Sequence, residues 1–277
     1  MLMVNQMAGF GEGWDHPGDL DYIYYSKNFN QVAQDGATFG CAFNPAGTTM
    51  FVLGINNNTI YQYTLSTGYE VDTSTYATLS LSVAAQTITP KGIALSADGT
   101  KLYVLNGAGQ SILQYTLPTP YSLSGAINAS LSANLAVQTS NCLSFAFSND
   151  GTKMFAVDAG TGEGVFQYTL STAWNISTAS YASKSFSLTG IAIEASGIVF
   201  SADGARMYVM DYTANGGTGT IYEFTLPVEF DLGVVQRTNK KFNYATGTGA
   251  LGIGLACSAD RSRFYVTGNL LYQFNTI

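Results

Sequence analysis

The chain has 277 residues, a net charge of −7 and a pI near 4.5, and only 10% of its residues are charged, against about 25% in an average soluble domain. Its surface must therefore be built largely from Ser, Thr, Asn, Gln and Gly. Nucleic-acid backbones are held by clustered cations that release counterions, and eleven Lys and Arg scattered along the sequence form no such cluster; an anionic membrane surface is disfavoured for the same reason.

Three cysteines, Cys41, Cys142 and Cys257, form no Cys-x-x-Cys pair, so neither a disulfide framework nor a zinc site is expected and the thiols are read as free and buried. No stretch approaches the roughly eighteen apolar residues of a membrane span, so no membrane insertion is expected. The opening "MLMVNQMAGFGEGW" lacks the basic region and apolar run of a secretory signal.

Residues 1–21 fall outside any repeat and read as an N-terminal arm. Its apolar residues Met3, Val4, Met7, Phe10 and Trp14 are candidates for docking, since such a segment can order on a partner's surface. His16 is the only histidine and lies in "DHPGDLD"; one imidazole among acids falls short of the three or four converging ligands of a zinc site, so no metal is expected. Next comes "YYSKNF", Tyr24 to Phe29, whose counterpart "YASKSF", Tyr181 to Phe186, lies far downstream.

From residue 40 onward two motifs alternate. The first reads "AFNPAGTTMFVL" from Ala42, "ALSADGTKLYVL" from Ala94, "AFSNDGTKMFAV" from Ala146, "VFSADGARMYVM" from Val199 and "ACSADRSRFYVT" from Ala256. The second reads "YQYTL" from Tyr61, "LQYTL" from Leu113, "FQYTL" from Phe166, "YEFTL" from Tyr222 and "YQFNT" from Tyr272. Eight residues beyond the first four of these stand Tyr69, Tyr121, Trp174 and Phe230, and ten beyond stand Val71, Leu123, Ile176 and Leu232. This is internal repetition with a period near 50 residues, the mark of a modular ring or array.

Each first motif is two apolar runs joined by a turn, built on Ser-x-Asp-Gly in the second to fourth units and on Pro45 and Gly47 in the first, in which Gly supplies the left-handed backbone at no steric cost. Arg261 stands where the last turn would have Gly, which implies about 1 kcal/mol of strain or a different turn. The second motif alternates as a third strand, and the segment after the aromatic supplies a fourth. Four antiparallel strands per unit predict an all-β chain, a β-propeller. The first strands alternate large residues (Cys41, Phe43; Ile93, Leu95) with small ones (Gly40, Ala42; Gly92, Ala94), as wedge-shaped sheets converging on an axis require.

The fifth unit ends at Ile277 without a fourth strand. "YYSKNF" is that strand: the N-terminal segment completes the last blade, giving a five-bladed propeller over residues 22–277. Trp14 or Tyr22 is expected to supply the aromatic that the last blade lacks.

The unit "GIALSADGTKLYVLNGAGQSILQYTL", with the following "STAWNISTASY" of the next unit, resembles the β-propeller repeats of tailed-phage virion proteins, notably of aquatic phages. The resemblance covers residues 22–277 and implies a propeller in a virion setting, without catalytic residues. It departs from the repeat at Arg261 for Gly and Asn175 for Asp.

Five-bladed propellers that hydrolyse glycosides need a pair of carboxyl groups flanking the bond, and the inner strands here contain no Asp or Glu. The remaining acids near a channel mouth are Asp158, Glu163, Glu194 and Asp211, ligand-binding candidates expected to be solvated or turn-capping. The recurring Asp98, Asp150, Asp203 and Asp260 are assigned to the turns. No nucleophile elbow, phosphate loop or calcium loop is present, and no cofactor is expected.

The expected function is a non-enzymatic structural or adhesion protein of the virion (capsid, neck or tail) that acts as a rigid module binding other virion proteins. The alternative is an extracellular or virion-borne lectin that recognises a host surface glycan. Against the lectin, the loops between second and third strands ("GINNN", "NGAGQ", "DAGTGEG", "DYTANGGTG", "TGN") do not repeat.

Overall fold

The computed structural model describes residues 20, 23–160, 162–192, 194–212, 219–245 and 252–276. Strand β1 (Ile23–Phe29) comes first in the chain and last in the ring. Blade one holds β2 (Thr38–Phe43), β3 (Thr49–Gly54), β4 (Thr59–Leu65) and β5 (Ser74–Ser82). Blade two holds β6 (Pro90–Leu95), β7 (Lys101–Asn106), β8 (Ser111–Thr116) and β9 (Ile127–Asn134). Blade three holds β10 (Cys142–Phe147), β11 (Lys153–Asp158), β12 (Gly164–Leu170) and β13 (Ala179–Ser187). Blade four holds β14 (Ala195–Phe200), β15 (Arg206–Asp211), β16 (Thr220–Thr225) and β17 (Gln236–Asn243). Blade five holds β18 (Gly254–Cys257), β19 (Arg263–Thr267) and β20 (Leu271–Thr276), and β1 pairs antiparallel with β20 to complete it. The inner strands close a ring, β2 on β6, β6 on β10, β10 on β14, β14 on β18 and β18 back on β2. The chain is an all-β, five-bladed propeller.

The second strand of each blade explains why the sequence reads as unbroken apolar runs there. Successive side chains of a strand point to opposite faces, and here both faces are buried. In β7, Leu102 and Val104 enter the apolar layer shared with blade one, while Tyr103 and Leu105 enter the layer shared with blade three. Likewise β11 sends Met154 and Ala156 one way and Phe155 and Val157 the other. The core is thus five separate layers, one between each pair of neighbouring blades. Burying one such Val, Leu or Phe contributes about 1.5–3 kcal/mol.

The expected small-against-large packing of the inner strands is present. Gly40 faces Gly92 and Ile93, Gly92 faces Phe145, and Gly197 lies against Leu255.

The turn motif is a hydrogen-bonded unit. In blade two the Ser96 hydroxyl donates to Asp98 Oδ1 at 2.6 Å, the Thr100 amide donates to the same oxygen at 3.0 Å, and the Lys101 amide donates to Ser96 Oγ at 2.9 Å. Asp150, Asp203 and Asp260 repeat this arrangement. Ser96 is the first of the donors that hold the Asp98 carboxyl below its ordinary value.

The eight-residue offset of the aromatics has its cause here too. Tyr69, Tyr121, Trp174 and Phe230 donate their amides to the carbonyls of Gly47, Gly99, Gly151 and Gly204, each at 3.0 Å, and lay their rings against those glycines. A Cβ at any of the four glycines would run into the ring, and all four have φ between +69° and +75°. Arg261 adopts the same turn with φ +61°, so the fifth turn keeps its shape and bears the strain. Trp14 and Tyr22, expected to complete the last blade, lie outside the described residues.

In four of the five "YQYTL"-type motifs a buried glutamine ties one blade to the next; the fourth motif has Glu223 in its place. Gln62, Gln114, Gln167 and Gln273 accept through Oε1 from the amides of Leu123, Ile176, Leu232 and Val71, at 2.8–3.1 Å. These acceptors explain the aliphatic at the ten-residue offset: its side chain enters the core while its N–H is satisfied by the preceding blade.

The seam differs from the expected alignment in one respect. Lys27 pairs with Gln273 as Lys184 pairs with Gln167, but Tyr25, not Tyr24, stands opposite Phe274 where Tyr181 stands opposite Tyr168. The bulge in β1 skips one residue, Ser26, whereas that in β13 skips Ala182 and Ser183. Tyr25 takes the edge-on ring contact with Phe274 at 6.0 Å, while both Tyr24 and Tyr25 remain exposed. Across the interface between blades five and one, Glu70 of blade one meets Lys27 at 2.5 Å and Arg263 at 2.9 Å, both from blade five.

Replacing Gly99 with Ala is expected to lower stability by about 2–3 kcal/mol, from left-handed strain plus displacement of the Tyr121 ring; equilibrium unfolding in urea measures it. The seam makes a pH prediction. Burial opposes ionisation of Glu70, but Lys27 and Arg263 outweigh it and hold its carboxyl below the usual range. A depressed folded-state value stabilises fully above the unfolded value of about 4.3 and is lost as pH falls through the folded one. Glu70→Gln should therefore cost about 1 kcal/mol at pH 7, with a difference from wild type that shrinks on acidification; urea midpoints at a series of pH values test this.

Candidate functional site

The two ends of the propeller axis differ. One end, the loop side, carries the connections between blades and between second and third strands. The other, the turn side, carries the Ser-x-Asp-Gly turns. All four candidate acids lie on the loop side.

Asp158 ends β11 and is 1% exposed. Its Oδ1 accepts from the amides of Ser140 at 3.1 Å and Asn141 at 2.6 Å, clamping the loop that enters blade three. Asp211 ends β15 and accepts from the Glu194 amide at 2.8 Å. The structure thus brings Asp211 and Glu194 together, but through the backbone of Glu194. Glu163 lies apart in the loop after β11, where its amide donates to the Gly160 carbonyl at 3.1 Å and its carbonyl accepts from Leu188 at 3.0 Å.

Asp35 was not singled out by sequence, yet it does the same work in blade one from the opposite side. It comes from the entering loop and accepts from the amides of Ala37 and Asn57, each at 3.0 Å. Room for its carboxylate exists because the strand position held by Asp158 and Asp211 is Gly54 in blade one, and a Cβ there would collide with Asp35. The legible signal was that glycine, standing where blades two, three and four carry Asn106, Asp158 and Asp211.

Each inner strand of blades one to four is bulged at its loop-side end, at Phe39, Lys91, Leu143 and Ser196. Phe39 and Leu143 join one buried cluster with Ile93, and Ile253 packs on it. The Lys91 ammonium sits 4.7 Å from the Phe39 ring centroid, and burial holds its pKa below that of an ordinary lysine.

The turn side opens into a bowl of about 410 Å³ on the axis, lined by Phe43, Phe147, Tyr69, Tyr121, Trp174 and Arg261 among others. Tyr69, Tyr121, Trp174 and Phe230 are only partly buried. Inner-strand rings support them, with Phe43 5.5 Å from Tyr69 and Phe147 5.3 Å from Trp174.

Cys41 and Cys142 are buried free thiols and Cys257 a partly buried one. Burial is the main cause that pushes the Cys142 thiol up to about 12, which removes it as a nucleophile at neutral pH. Among the described residues no three His, Cys, Asp or Glu gather to hold a metal. His16 and the arm residues Met3, Val4, Met7, Phe10 and Trp14 lie outside the described residues.

Asp158→Ala would leave the amides of Ser140 and Asn141 without their acceptor and is expected to cost about 1–3 kcal/mol, seen as a lower urea midpoint.

No family model matches the sequence, and no curated protein matches it. Among solved structures, a protein from Lactobacillus plantarum shares the fold at 12% identity and a TM-score of 0.53, over 82% of this chain and 61% of that one. A "putative 6-phosphogluconolactonase" from Bacteroides fragilis NCTC 9343 matches at 14% identity and a TM-score of 0.50, over 79% of this chain and 59% of that one. This chain spans about three fifths of the length of these structures. At such identities the likeness is one of fold, and the fold is that of a β-propeller.

Proposed function

We propose that the protein is a non-enzymatic component of a phage particle, a rigid propeller that joins other virion proteins in capsid, neck or tail. One observation carries the non-catalytic half of this reading: Asp158 and Asp211, the strand-borne acids nearest the axis, serve as acceptors for loop amides. Glycoside hydrolysis needs two carboxyl groups facing one bond, and here Oδ1 of Asp158 and Oδ1 of Asp211 are each taken up by backbone amides. The virion half rests on the repeat resemblance, supported by the low charge of the chain.

A second reading, a lectin-like propeller for a surface glycan, is favoured by the partly buried aromatics of the turn-side bowl. Aromatic faces of this kind stack on apolar faces of sugars.

Mass spectrometry of purified particles of the phage that encodes this chain is expected to find it in stoichiometric amount with other structural proteins. Its absence from particles, with abundance in infected cells, would overturn the virion reading. A glycan array in which binding disappears on Trp174→Ala would favour the lectin.

A further inference from the structure

One turn in this ring breaks its own rule. Four turns place Gly at the left-handed position, where φ is +69° to +75° and an aromatic ring leaves no room for a Cβ. The fifth places Arg261 there, at φ +61°. A non-glycine residue in this region costs about 1 kcal/mol or more, and strain of this kind gathers where function requires a particular side chain.

The side chain of Arg261 is held in a fixed direction. Its Nε donates to the Phe200 carbonyl of the neighbouring blade, and Nη1 donates to the Ser258 carbonyl at 2.6 Å. Nη2 has no partner among the described residues. The guanidinium therefore stands at the wall of the turn-side bowl with donors to spare, anchored by blades four and five. On blades one to three the wall is aromatic: Tyr69 from blade one, Tyr121 from blade two and Trp174 from blade three. Their hydroxyls do not compete for a ligand, since Tyr69 donates to the Pro45 carbonyl at 2.7 Å and Tyr121 to the Ala97 carbonyl.

Among the described residues no acid lines the bowl, and the carboxylate of Asp260, in the same turn, is turned to the Ser258 hydroxyl at 2.5 Å and the Ser262 amide at 3.0 Å. A cavity of about 410 Å³ falls within the range of small-molecule sites, which pair mostly apolar walls with a few fixed polar groups. A planar guanidinium matches a carboxylate in geometry as well as charge.

We propose that the turn-side bowl binds a small monocarboxylate with an apolar, ring-sized body, its carboxylate held by Arg261 and its body packed against Tyr69, Tyr121 and Trp174. The site requires neither reading of the protein's function above. A free aromatic acid and the acidic sugar at the end of a glycan share this chemistry.

The test titrates 2-naphthoate, its neutral isostere 2-naphthamide, and D-glucuronate into the full chain by calorimetry, with Arg261→Gly as the variant. Because the variant restores glycine to a glycine turn, its melting temperature is expected to equal or exceed that of wild type. Binding of naphthoate at least about tenfold tighter than naphthamide, and weakened about tenfold or more by Arg261→Gly, is the expected result for a lost charged hydrogen bond. Glucuronate binding with the same dependence on Arg261, with or without naphthoate, supports the site and identifies the sugar as its source of carboxylate. Binding of neither acid, equal binding of naphthoate and naphthamide without an Arg261-dependent glucuronate signal, or acid binding unchanged in the variant would overturn it. So would a lower melting temperature alongside lost binding, since Arg261 would then be holding the fold.

Discussion

The structure depends on one constraint: no blade can bury its own apolar surface. Each second strand is apolar on both faces, and each face is covered only by a neighbour. A linear row of such sheets would leave an apolar face bare at either end. Closing the row into a ring covers both, and the seam between blades five and one must then be as well packed as the rest. It is: Cys41, Met50, Val52 and Tyr63 of blade one meet Tyr265 and Leu271 of blade five in one buried layer, and Glu70 joins two cations of blade five across it.

Most of this architecture was readable from the sequence because it repeats. A turn with Gly at a fixed place, an aromatic eight residues past the first residue of the "YQYTL" motif and an aliphatic ten residues past it recur in phase, and repetition separates design from accident. The seam was readable for the same reason, through the shared Lys and Phe of "YYSKNF" and "YASKSF". Its register was not, because one residue fewer in the bulge moves Tyr25 into the place that spacing assigned to Tyr24. The buried glutamines were visible as letters but not as ties, since a hydrogen bond to a residue about sixty positions away leaves no local trace.

The candidate site was legible only in part. Counting acids correctly emptied the inner strands of carboxylates, and the turn duty of Asp98 and its equivalents followed from their spacing. The work of Asp35 was hidden, because it arrives from a loop and the clue to it is a missing side chain at Gly54. Tyr69, Tyr121, Trp174 and Phe230 recur at one offset, which marks them as structural. Their rings do pack, but on turn glycines at the rim of the axis, where one side remains open. Repetition thus argues for structure at every position it covers, and the informative positions are those where it lapses: Gly54 and Arg261.

The pairing of β1 with β20 also determines how the ring would bear load. Ile23 lies opposite Thr276 at one end of that ladder, and Phe29 opposite Leu271 at the other. Tension entering through the chain on the outer flanks of Ile23 and Thr276 would act at a single end, opening the bonds one after another like a peeled strip, where a shear geometry would strain them all together. Pull transmitted through the two chain ends would therefore part this blade at low force, whereas force applied to the faces of the ring would be spread over five packed layers.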